Sequence, residues 1–312
     1  MLIRASIGTL AAIGEVDTKT LVRPGVAYLL QYSDRGCLGG CYFCAQSSQS
    51  IASKDFLSRV VWPAVSLEDV APKLAKVFSR ACVQSVIKPN FIAELHEVVR
   101  TLSHYGLKIS LSTTPIPDED LKLFKQEGVD YLGVGLDAAT PSIATRVNKP
   151  YPYGVYLDFI SKAVSVFGRG RVVVHLIVGL GETLKEITET IKQVYSVGGA
   201  VSLFAFTPVK GTSAESWPRP SLRYYRIVQI INYAVASGLP VEELVDLNRM
   251  CVHEDKLSSL SEVTMALLTS GCPMCNRPYY TESPKGEPYN FPTADLIPPI
   301  RDLLRKLSCD VS

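Results

Sequence analysis

Short apolar runs alternate with longer amphipathic segments between residues 27 and 237 of the chain. The apolar runs are about six residues long, which is typical of strands that are buried on both faces of a parallel sheet. They predict strands over residues 27–32, 82–87, 108–112, 131–136, 172–178 and 201–206. The amphipathic segments repeat apolar residues at steps of three and four, which is the period of a helix. They predict helices over residues 67–78, 91–105, 117–127, 157–167, 183–197 and 222–237.

This βα repeat places the chain in the α/β class, as a complete or partial TIM-like barrel or as a doubly wound sheet. Beyond residue 237 the pattern weakens, and residues 262–269 are a candidate seventh strand. Pro, Gly, Tyr and Asn dominate residues 272–299, which predicts an irregular cap. We therefore divide the chain into an N-terminal segment (1–25), a barrel (26–270) and a C-terminal cysteine-containing cap and tail (271–312).

Composition narrows the classes of partner and compartment. The 312 residues are 47% hydrophobic, which is enough for one large core, and the net charge is only +2. Lys and Arg are scattered along the chain, so we expect neither nucleic acid nor membrane as a partner. The apolar start, residues 1–13, is too short to cross a bilayer and lacks a cleavage pattern, which favours a cytoplasmic protein. Eight cysteines in such a chain are expected to be reduced.

The strongest chemical signal is a C-x3-C-x2-C loop directly after the first predicted strand, formed by Cys37, Cys41 and Cys44. Three thiolates can hold three irons of a 4Fe-4S cluster and leave the fourth iron open. Glycines before and between the cysteines give the loop the backbone freedom to wrap around one centre. A structural zinc site normally uses four ligands in two separated pairs, and a disulfide framework needs an even set. Both alternatives fit the loop less well than a cluster.

With Phe43 between its last two cysteines, the loop resembles the signature of the radical S-adenosylmethionine (SAM) enzymes. In that superfamily, SAM binds the open iron, and the reduced cluster cleaves SAM to a 5'-deoxyadenosyl radical. The resemblance implies a 4Fe-4S cluster on Cys37, Cys41 and Cys44, SAM as cofactor, and an electron donor such as ferredoxin or flavodoxin. The following residues 45–48, Ala-Gln-Ser-Ser, are similar to the biotin synthase branch.

The same resemblance implies SAM-binding residues at Phe43, Asp137, Arg146, Ile177 and Gly179. Phe43 would pack against adenine, which Ile177 and Gly179 would bracket. Asp137 would bind the ribose hydroxyls and Arg146 the SAM carboxylate. The alternative for Asp137 is a helix N-cap, and for Arg146 a solvated side chain. The match around Ile177 is partial, because His175 stands where the family often has glycine.

A second thiol pair, Cys272 and Cys275, forms a C-x2-C motif in the predicted cap. It is a candidate for a second iron-sulfur cluster. Cys82, which begins the second predicted strand, resembles in placement a cysteine that biotin synthase uses for its auxiliary cluster, and this resemblance implies Cys82 as the third ligand. A redox dithiol, a disulfide and half of a zinc site are the alternatives for the pair. A lone strand cysteine is more commonly a small buried hydrophobe, which is the alternative for Cys82 and is how we interpret Cys251 and Cys309.

Residues 272–280 and 289–292 resemble the two-protein type of lipoyl synthase. This resemblance implies an auxiliary 4Fe-4S cluster on Cys82, Cys272 and Cys275 that donates sulfur to an octanoyl chain. The octanoyl chain would be carried by a lipoyl carrier domain or H protein, and a homologous second synthase protein would be a partner. The fourth cluster ligand stays open among Arg277, Ser270, Ser283 and a small molecule.

Departures from related families separate the alternatives. The chain lacks the C-x4-C-x5-C motif and the C-terminal Arg-Ser-Ser-Tyr of the single-chain lipoyl synthase. It also lacks the further cysteines that biotin synthase has after its third strand and in its fifth strand, since residues 110–114 and 172–178 contain none. The alternative functions are another radical SAM cofactor-biosynthesis enzyme, biotin synthase-like, and a non-catalytic zinc-binding protein.

Overall fold

The structure is a computed structural model that describes residues 1–256, 260–278, 280–281 and 286–309. Its strands are β1 Leu2–Ala5, β2 Ala27–Gln31, β3 Phe56–Leu57, β4 Val60–Val61, β5 Ala64–Ser66, β6 Arg80–Gln84, β7 Lys108–Thr113, β8 Val129–Asp137, β9 Val172–Val178, β10 Ala200–Ala205, β11 Val245–Asp246 and β12 Cys251–Val252. Its α-helices are α1 Ile7–Ala12, α2 Leu67–Val77, α3 Phe91–His104, α4 Asp118–Gln126, α5 Pro141–Arg146, α6 Tyr153–Phe167, α7 Leu184–Ser196, α8 Leu222–Ala236, α9 Val241–Leu244, α10 Leu260–Leu267 and α11 Ile300–Leu307.

The main sheet has the order β10-β9-β8-β7-β6-β2-β1-β5. Strands β2, β6, β7, β8, β9 and β10 pair in parallel, whereas β1 runs antiparallel to both β2 and β5. Because β10 and β5 are the two edges, the sheet curves without closing on itself. The α/β prediction is confirmed, and the barrel is of the partial kind.

All six predicted parallel strands are present, with ends shifted by at most three residues. The candidate seventh strand over residues 262–269 is wrong, because α10 occupies most of it. Val263 and Leu267 are both buried and lie four residues apart, which is the helical period. The N-terminal segment also contributes β1 to the main sheet, an element that the pattern did not predict.

Side chains alternate between the two faces of each strand, and this alternation separates the core from the interior of the barrel. On β6, Ala81 and Val83 belong to the core that packs against the helices. Between them, Cys82 faces the interior, where it is in register with Tyr28 of β2 and Ser110 of β7. Cys82 therefore lies in the barrel interior between two hydroxyl-bearing side chains, those of Tyr28 and Ser110.

A C-terminal segment, residues 269–278 with 280–281, spans the open side of the sheet. At the β10 edge, Ser202 donates a hydrogen bond to the Ser270 carbonyl (2.7 Å). At the β2 side, the Gly25 N–H donates to Asn276 Oδ1 (2.9 Å), and the Asn276 N–H donates to the Tyr28 hydroxyl (3.0 Å). The segment is irregular, as predicted, and it brings Cys272 and Cys275 into the barrel.

The other two cysteines correct an expectation. Cys251 and Cys309 form a disulfide that links β12 to the residue that follows α11 by two positions, so they are not free buried thiols. The Cys309 N–H donates to the Val252 carbonyl (3.0 Å), which aligns the two chain segments. A sequence separation of 58 residues concealed this pairing. Among the described helices, none combines the length and apolar character that a bilayer crossing needs.

Candidate active site

The first thiol loop is held by hydrogen bonds from the backbone around it. The Cys37 N–H donates to the Gln46 carbonyl (2.6 Å), and the Cys37 sulfur accepts from the N–H groups of Gly39 (3.3 Å) and Ile87 (3.2 Å). Gly36 has φ +76°, and a Cβ there would lie 2.5 Å from the Gln46 carbonyl oxygen. The loop therefore requires glycine at position 36. Hydrogen bonds to a ligating sulfur are one means by which proteins tune an iron-sulfur cluster.

Cys37, Cys41 and Cys44 line one cavity of about 210 Å³ at the carboxyl ends of the strands. Burial raises the pKa of Cys41 to about 11 and that of Cys44 to about 12. The Lys149 ammonium opposes the rise at Cys41. Buried thiols with such pKa values become thiolates only when a cation replaces the proton, as iron does. The three cysteines therefore fit a 4Fe-4S cluster, which they would hold at this cavity.

Asp137 and Lys149 form the charged wall of this cavity. The Lys149 ammonium lies 2.5 Å from Asp137 Oδ2 and also donates to the Gly135 carbonyl (2.8 Å). Burial is the largest single influence on Lys149 and lowers its pKa, but Asp137, together with Cys41 and Tyr156, raises the pKa overall. Asp137 has φ +63°, an unusual conformation for a residue with a Cβ. The N-cap alternative for Asp137 is wrong, because Thr140 caps α5.

A second cavity of about 170 Å³ adjoins the first and contains three of the predicted SAM contacts: Phe43, Asp137 and Ile177. Cys44 lines both cavities, so the two open onto the same thiol. Thr207, from the segment after β10, completes one side. An aromatic ring, an aliphatic side chain and a carboxylate around one space suit a purine nucleoside.

The structure places the other two predicted SAM contacts outside these linings. Arg146 is exposed, and its guanidinium lies 5.4 Å from the centre of the Trp217 ring. Gly179 ends β9 with φ +102°, and a Cβ there would lie 2.7 Å from Pro220. Its N–H donates to the Glu182 carboxylate (2.6 Å), so glycine serves the turn. The roles of Arg146 and Gly179 in binding SAM stay predictions.

The second thiol set converges in the interior of the barrel. Cys82, Cys272 and Cys275 line one enclosed cavity of about 40 Å³, together with Arg80 and Arg277. The Cys275 sulfur lies 3.7 Å from the Tyr28 hydroxyl. Burial raises the pKa of Cys272 to about 11 and also raises that of Cys82. As in the first set, a cation must replace the protons before these thiols can ionise.

Two arginines, Arg80 and Arg277, line the cavity of the second thiol set. Arg80 is paired with Asp130 through two contacts (2.5 and 2.7 Å). Arg277 is also buried, yet no described Asp or Glu lies within 4.0 Å of its guanidinium. A buried cation needs a compensating negative charge nearby. Thiolates at Cys82, Cys272 and Cys275 would supply such a charge.

Two of the candidate fourth ligands of a second cluster, Arg277 and Ser270, already form hydrogen bonds. The Arg277 guanidinium donates to Ser202 Oγ (2.6 Å) and to the carbonyls of Leu203 (3.1 Å) and Ser270 (3.0 Å), and it lies 3.9 Å from the centre of the Phe204 ring. The Ser270 hydroxyl accepts from the Leu203 N–H (3.0 Å). Both side chains are thus occupied in joining the C-terminal segment to β10. Ser283 lies outside the described residues.

The spacing of the thiols bears on the type of metal centre. Among the described residues, no three His, Cys, Asp or Glu side chains converge as ligands of one metal ion must. The thiolates of a four-iron cluster bind separate irons, so they lie farther apart than the ligands of a single zinc ion. Neither thiol set therefore forms a mononuclear zinc site with the described residues.

Two side chains connect the thiol sets, and sequence reasoning did not identify their role. Gln84 and His175 line the cavity of the second set and both cavities at the first set. Burial lowers the pKa of His175 to about 4, so the imidazole is neutral. Period-two alternation on β6 and β9 would have placed Gln84 with Cys82 and His175 with Ile177. Lys149 had no such signal, since it follows α5 in an ordinary turn.

The family model of the radical SAM superfamily matches residues 33–194 of this chain. A curated relative, the dual-specificity RNA methyltransferase RlmN of Oleidesulfovibrio alaskensis, is 24% identical over 203 residues. That match covers 60% of this chain and 55% of the relative, so the chain spans little more than half of that protein.

Solved structures share the fold at low sequence identity. Methylornithine synthase superposes with a TM-score of 0.55 at 13% identity, over 77% of this chain and 68% of that chain. HydG, a maturase of the FeFe-hydrogenase, superposes with a TM-score of 0.55 at 14% identity, over 67% of this chain and 49% of that chain. These likenesses support the partial barrel.

Proposed function

Because this chain belongs to the radical SAM superfamily, we propose that it is a sulfurtransferase that acts on a protein-bound octanoyl chain. When bound, SAM with the first 4Fe-4S cluster supplies a 5'-deoxyadenosyl radical that takes a hydrogen atom from an unactivated carbon, and a second cluster on Cys82, Cys272 and Cys275 supplies the sulfide to which that carbon bonds. The superfamily assignment covers the first cluster and SAM, and the second cluster and the substrate are the proposal.

One observation carries this proposal: the cavities that the two thiol sets line share the lining residues Gln84, Ser112 and His175. Gln84 and His175 line the cavities on both sides, so a substrate chain beside them would be adjacent to both sets. A radical enzyme that needs only SAM has no use for a second buried thiol set with two arginines beside it. A sulfur donor next to the radical is a use that fits this geometry.

The chain's own residues hold the two ends of this arrangement in place. Lys149 and Asp137 form an ion pair beside the first set, so together they add little net charge to the wall of the cavity that Cys37, Cys41 and Cys44 line. At the second set, the Arg277 charge opposes the rise that burial causes in the pKa of Cys82 and Cys272, and so favours their thiolates. Tyr280 and Trp62 pack edge to face, with 5.6 Å between their ring centres, and both are buried at one side of the interior. Water exclusion protects a radical from side reactions.

The proposal also assigns partners. The octanoyl chain would arrive on a lipoyl carrier domain or H protein, and a homologous second synthase protein would install the other sulfur. Ferredoxin or flavodoxin would supply the electron, and the reaction would take place in the cytoplasm. These assignments depend on the resemblance to the two-protein lipoyl synthase.

The test is sulfur insertion itself. Anaerobically reconstituted protein is incubated with SAM, a reductant and an octanoyl-lysine peptide, and the products are analysed by mass spectrometry. We expect a thiolated octanoyl peptide, and we expect the C272A/C275A variant to form 5'-deoxyadenosine without thiolating the peptide. An untouched octanoyl peptide, with thiolated dethiobiotin or methylated RNA in parallel reactions, would contradict the proposal.

A further inference from the structure

A groove of about 400 Å³ lies beside the barrel, between the N-terminal segment, the β3–β4 hairpin and the C-terminal segment. We call it the outer groove. Its volume is in the range of small-molecule sites. Tyr28 and Tyr280 line the outer groove and also line the cavity of the second thiol set. The groove therefore ends at the two rings behind which Cys82, Cys272 and Cys275 lie.

The walls of the outer groove are mainly apolar, and five of the lining residues are aliphatic. Ile7, Val22 and Val60 line it, together with Leu21 and Val61. Leu21 is 74% exposed and Val61 is 37% exposed, so the groove presents apolar surface to solvent. Burying that surface against a hydrocarbon would gain free energy in proportion to the area covered.

The charged residues that line the outer groove are both cationic. Lys19 and Arg59 are exposed lining residues, and the lining contains no Asp or Glu. Neither cation forms an ion pair with a carboxylate in the described part of the chain, in contrast to Arg4 and Lys73 nearby in sequence or space. Two unpaired cations beside an apolar groove complement a ligand that is apolar at one end and attached to an acidic surface.

Tyr280 stands where three spaces meet. It lines the outer groove, the second thiol cavity and the cavity that contains Phe43 and Ile177. Its hydroxyl accepts a hydrogen bond from Gln84 (3.1 Å), and its ring centre is 6.2 Å from that of Tyr28. A rotation of this one ring would join the groove to the space between the two thiol sets.

We propose that the outer groove is the access route for a fatty acyl chain borne by an acidic carrier. The acyl chain lies along Ile7, Val22 and Val61 and passes between Tyr28 and Tyr280, so that its distal carbons reach the interior. The carrier surface docks against Lys19 and Arg59. This inference rests on the proposed function for the identity of the acyl chain, but it is a separate statement about where the chain binds.

The test measures binding rather than turnover. A fluorescent peptide with one octanoyl-lysine between glutamates is titrated with the reconstituted full chain, and anisotropy is followed at low and high salt. Val61→Glu should weaken binding by about tenfold or more, because it places a carboxylate against the hydrocarbon. Val197→Glu is the matched control, since Val197 is also 37% exposed but lies at the end of α7, outside the groove.

A second pair of variants tests the carrier surface. The double variant Lys19→Glu with Arg59→Glu should weaken binding of the acidic peptide by about tenfold at low salt. It should also remove most of the salt dependence of that binding. Lys122→Glu with Lys185→Glu changes the net charge equally on α4 and α7 and should leave binding unchanged. Groove variants that bind like their controls, or a wild-type chain that binds no octanoyl peptide, would contradict the proposal that the outer groove binds the acyl chain. Groove-dependent binding without sulfur insertion would support that proposal and contradict the proposed function.

Discussion

The Tyr28 hydroxyl lies 3.7 Å from the Cys275 sulfur and accepts hydrogen bonds from the N–H groups of Asn276 (3.0 Å) and Arg277 (2.7 Å). Tyr28 belongs to β2, the strand that leads into the first thiol loop, whereas Cys275 belongs to the C-terminal segment. Burial raises the pKa of Tyr28, so the hydroxyl stays protonated. One side chain thus fixes the second thiol set relative to the strand that carries the first.

Tyr28→Phe should loosen the C-terminal segment. Two backbone N–H groups would lose their acceptor, and an unsatisfied buried donor costs about 1–3 kcal/mol. We expect a lower free energy of unfolding in urea and a loss of iron from the second set only. Tyr105→Phe is the control, because Tyr105 is 41% exposed and should tolerate the change. Equal stability and iron content in the two variants would show that this hydroxyl does not hold the segment.

Gly36→Ala should abolish the first cluster. Its φ of +76° disfavours any residue with a Cβ by about 1–2 kcal/mol, and the new Cβ would also collide with the Gln46 carbonyl at 2.5 Å. Gly106→Ala is a matched control, since Gly106 has φ +80° with nothing within 4 Å of the new Cβ. Cluster absorption and SAM cleavage should be lost in G36A and kept in G106A. A G36A protein with a normal first cluster would refute the strain argument.

Lys149→Met should be strongly destabilising. It would leave the Asp137 carboxylate without its partner in a largely buried place, and breaking a buried ion pair costs about 3–5 kcal/mol. Lys162→Met removes an exposed pair with Asp118, where the expected cost is about 0–1 kcal/mol. Urea unfolding of both variants measures the difference. Similar losses would mean that Asp137 is solvated without Lys149.

His175 should make the metal-free protein sensitive to acid. Burial, and secondarily the Arg277 charge, lower its pKa to about 4 from an ordinary 6.5. The unfolded chain therefore binds a proton below pH 6.5 that the folded chain takes up only near pH 4. Stability should fall over that window by up to roughly 3 kcal/mol. His175→Gln should reduce the slope of unfolding free energy against pH there, and an unchanged slope would assign the acid sensitivity to other groups.

The sequence predicted the parallel strands well because six buried runs, each bounded by turns, are a strong local signal. The sequence-based prediction was wrong where long-range packing determines the structure. Residues 262–269 are apolar enough for a strand, but α10 packs them with a helical period. The Cys251–Cys309 disulfide depends on β12 meeting the end of the chain, which no local pattern records.

The candidate site was likewise predictable where it depends on local sequence and unpredictable where it depends on long-range contacts. The first thiol loop is local, so its spacing predicted a cluster that the loop geometry fits. The grouping of Cys82 with Cys272 and Cys275 was only a resemblance, yet these thiols share one cavity. Lys149 went unnoticed because its importance comes from Asp137, twelve residues earlier, and not from any motif of its own.

Iron and acid-labile sulfide per chain test the central claim, the second cluster, most directly. The wild-type protein, reconstituted anaerobically, should contain about eight irons and eight sulfides, which is two 4Fe-4S clusters. The C272A/C275A variant should contain about four of each and still cleave SAM, while C251A/C309A should keep about eight. A wild-type content of about four irons, or an unchanged content in C272A/C275A, would contradict the second cluster and with it the sulfur-donor mechanism.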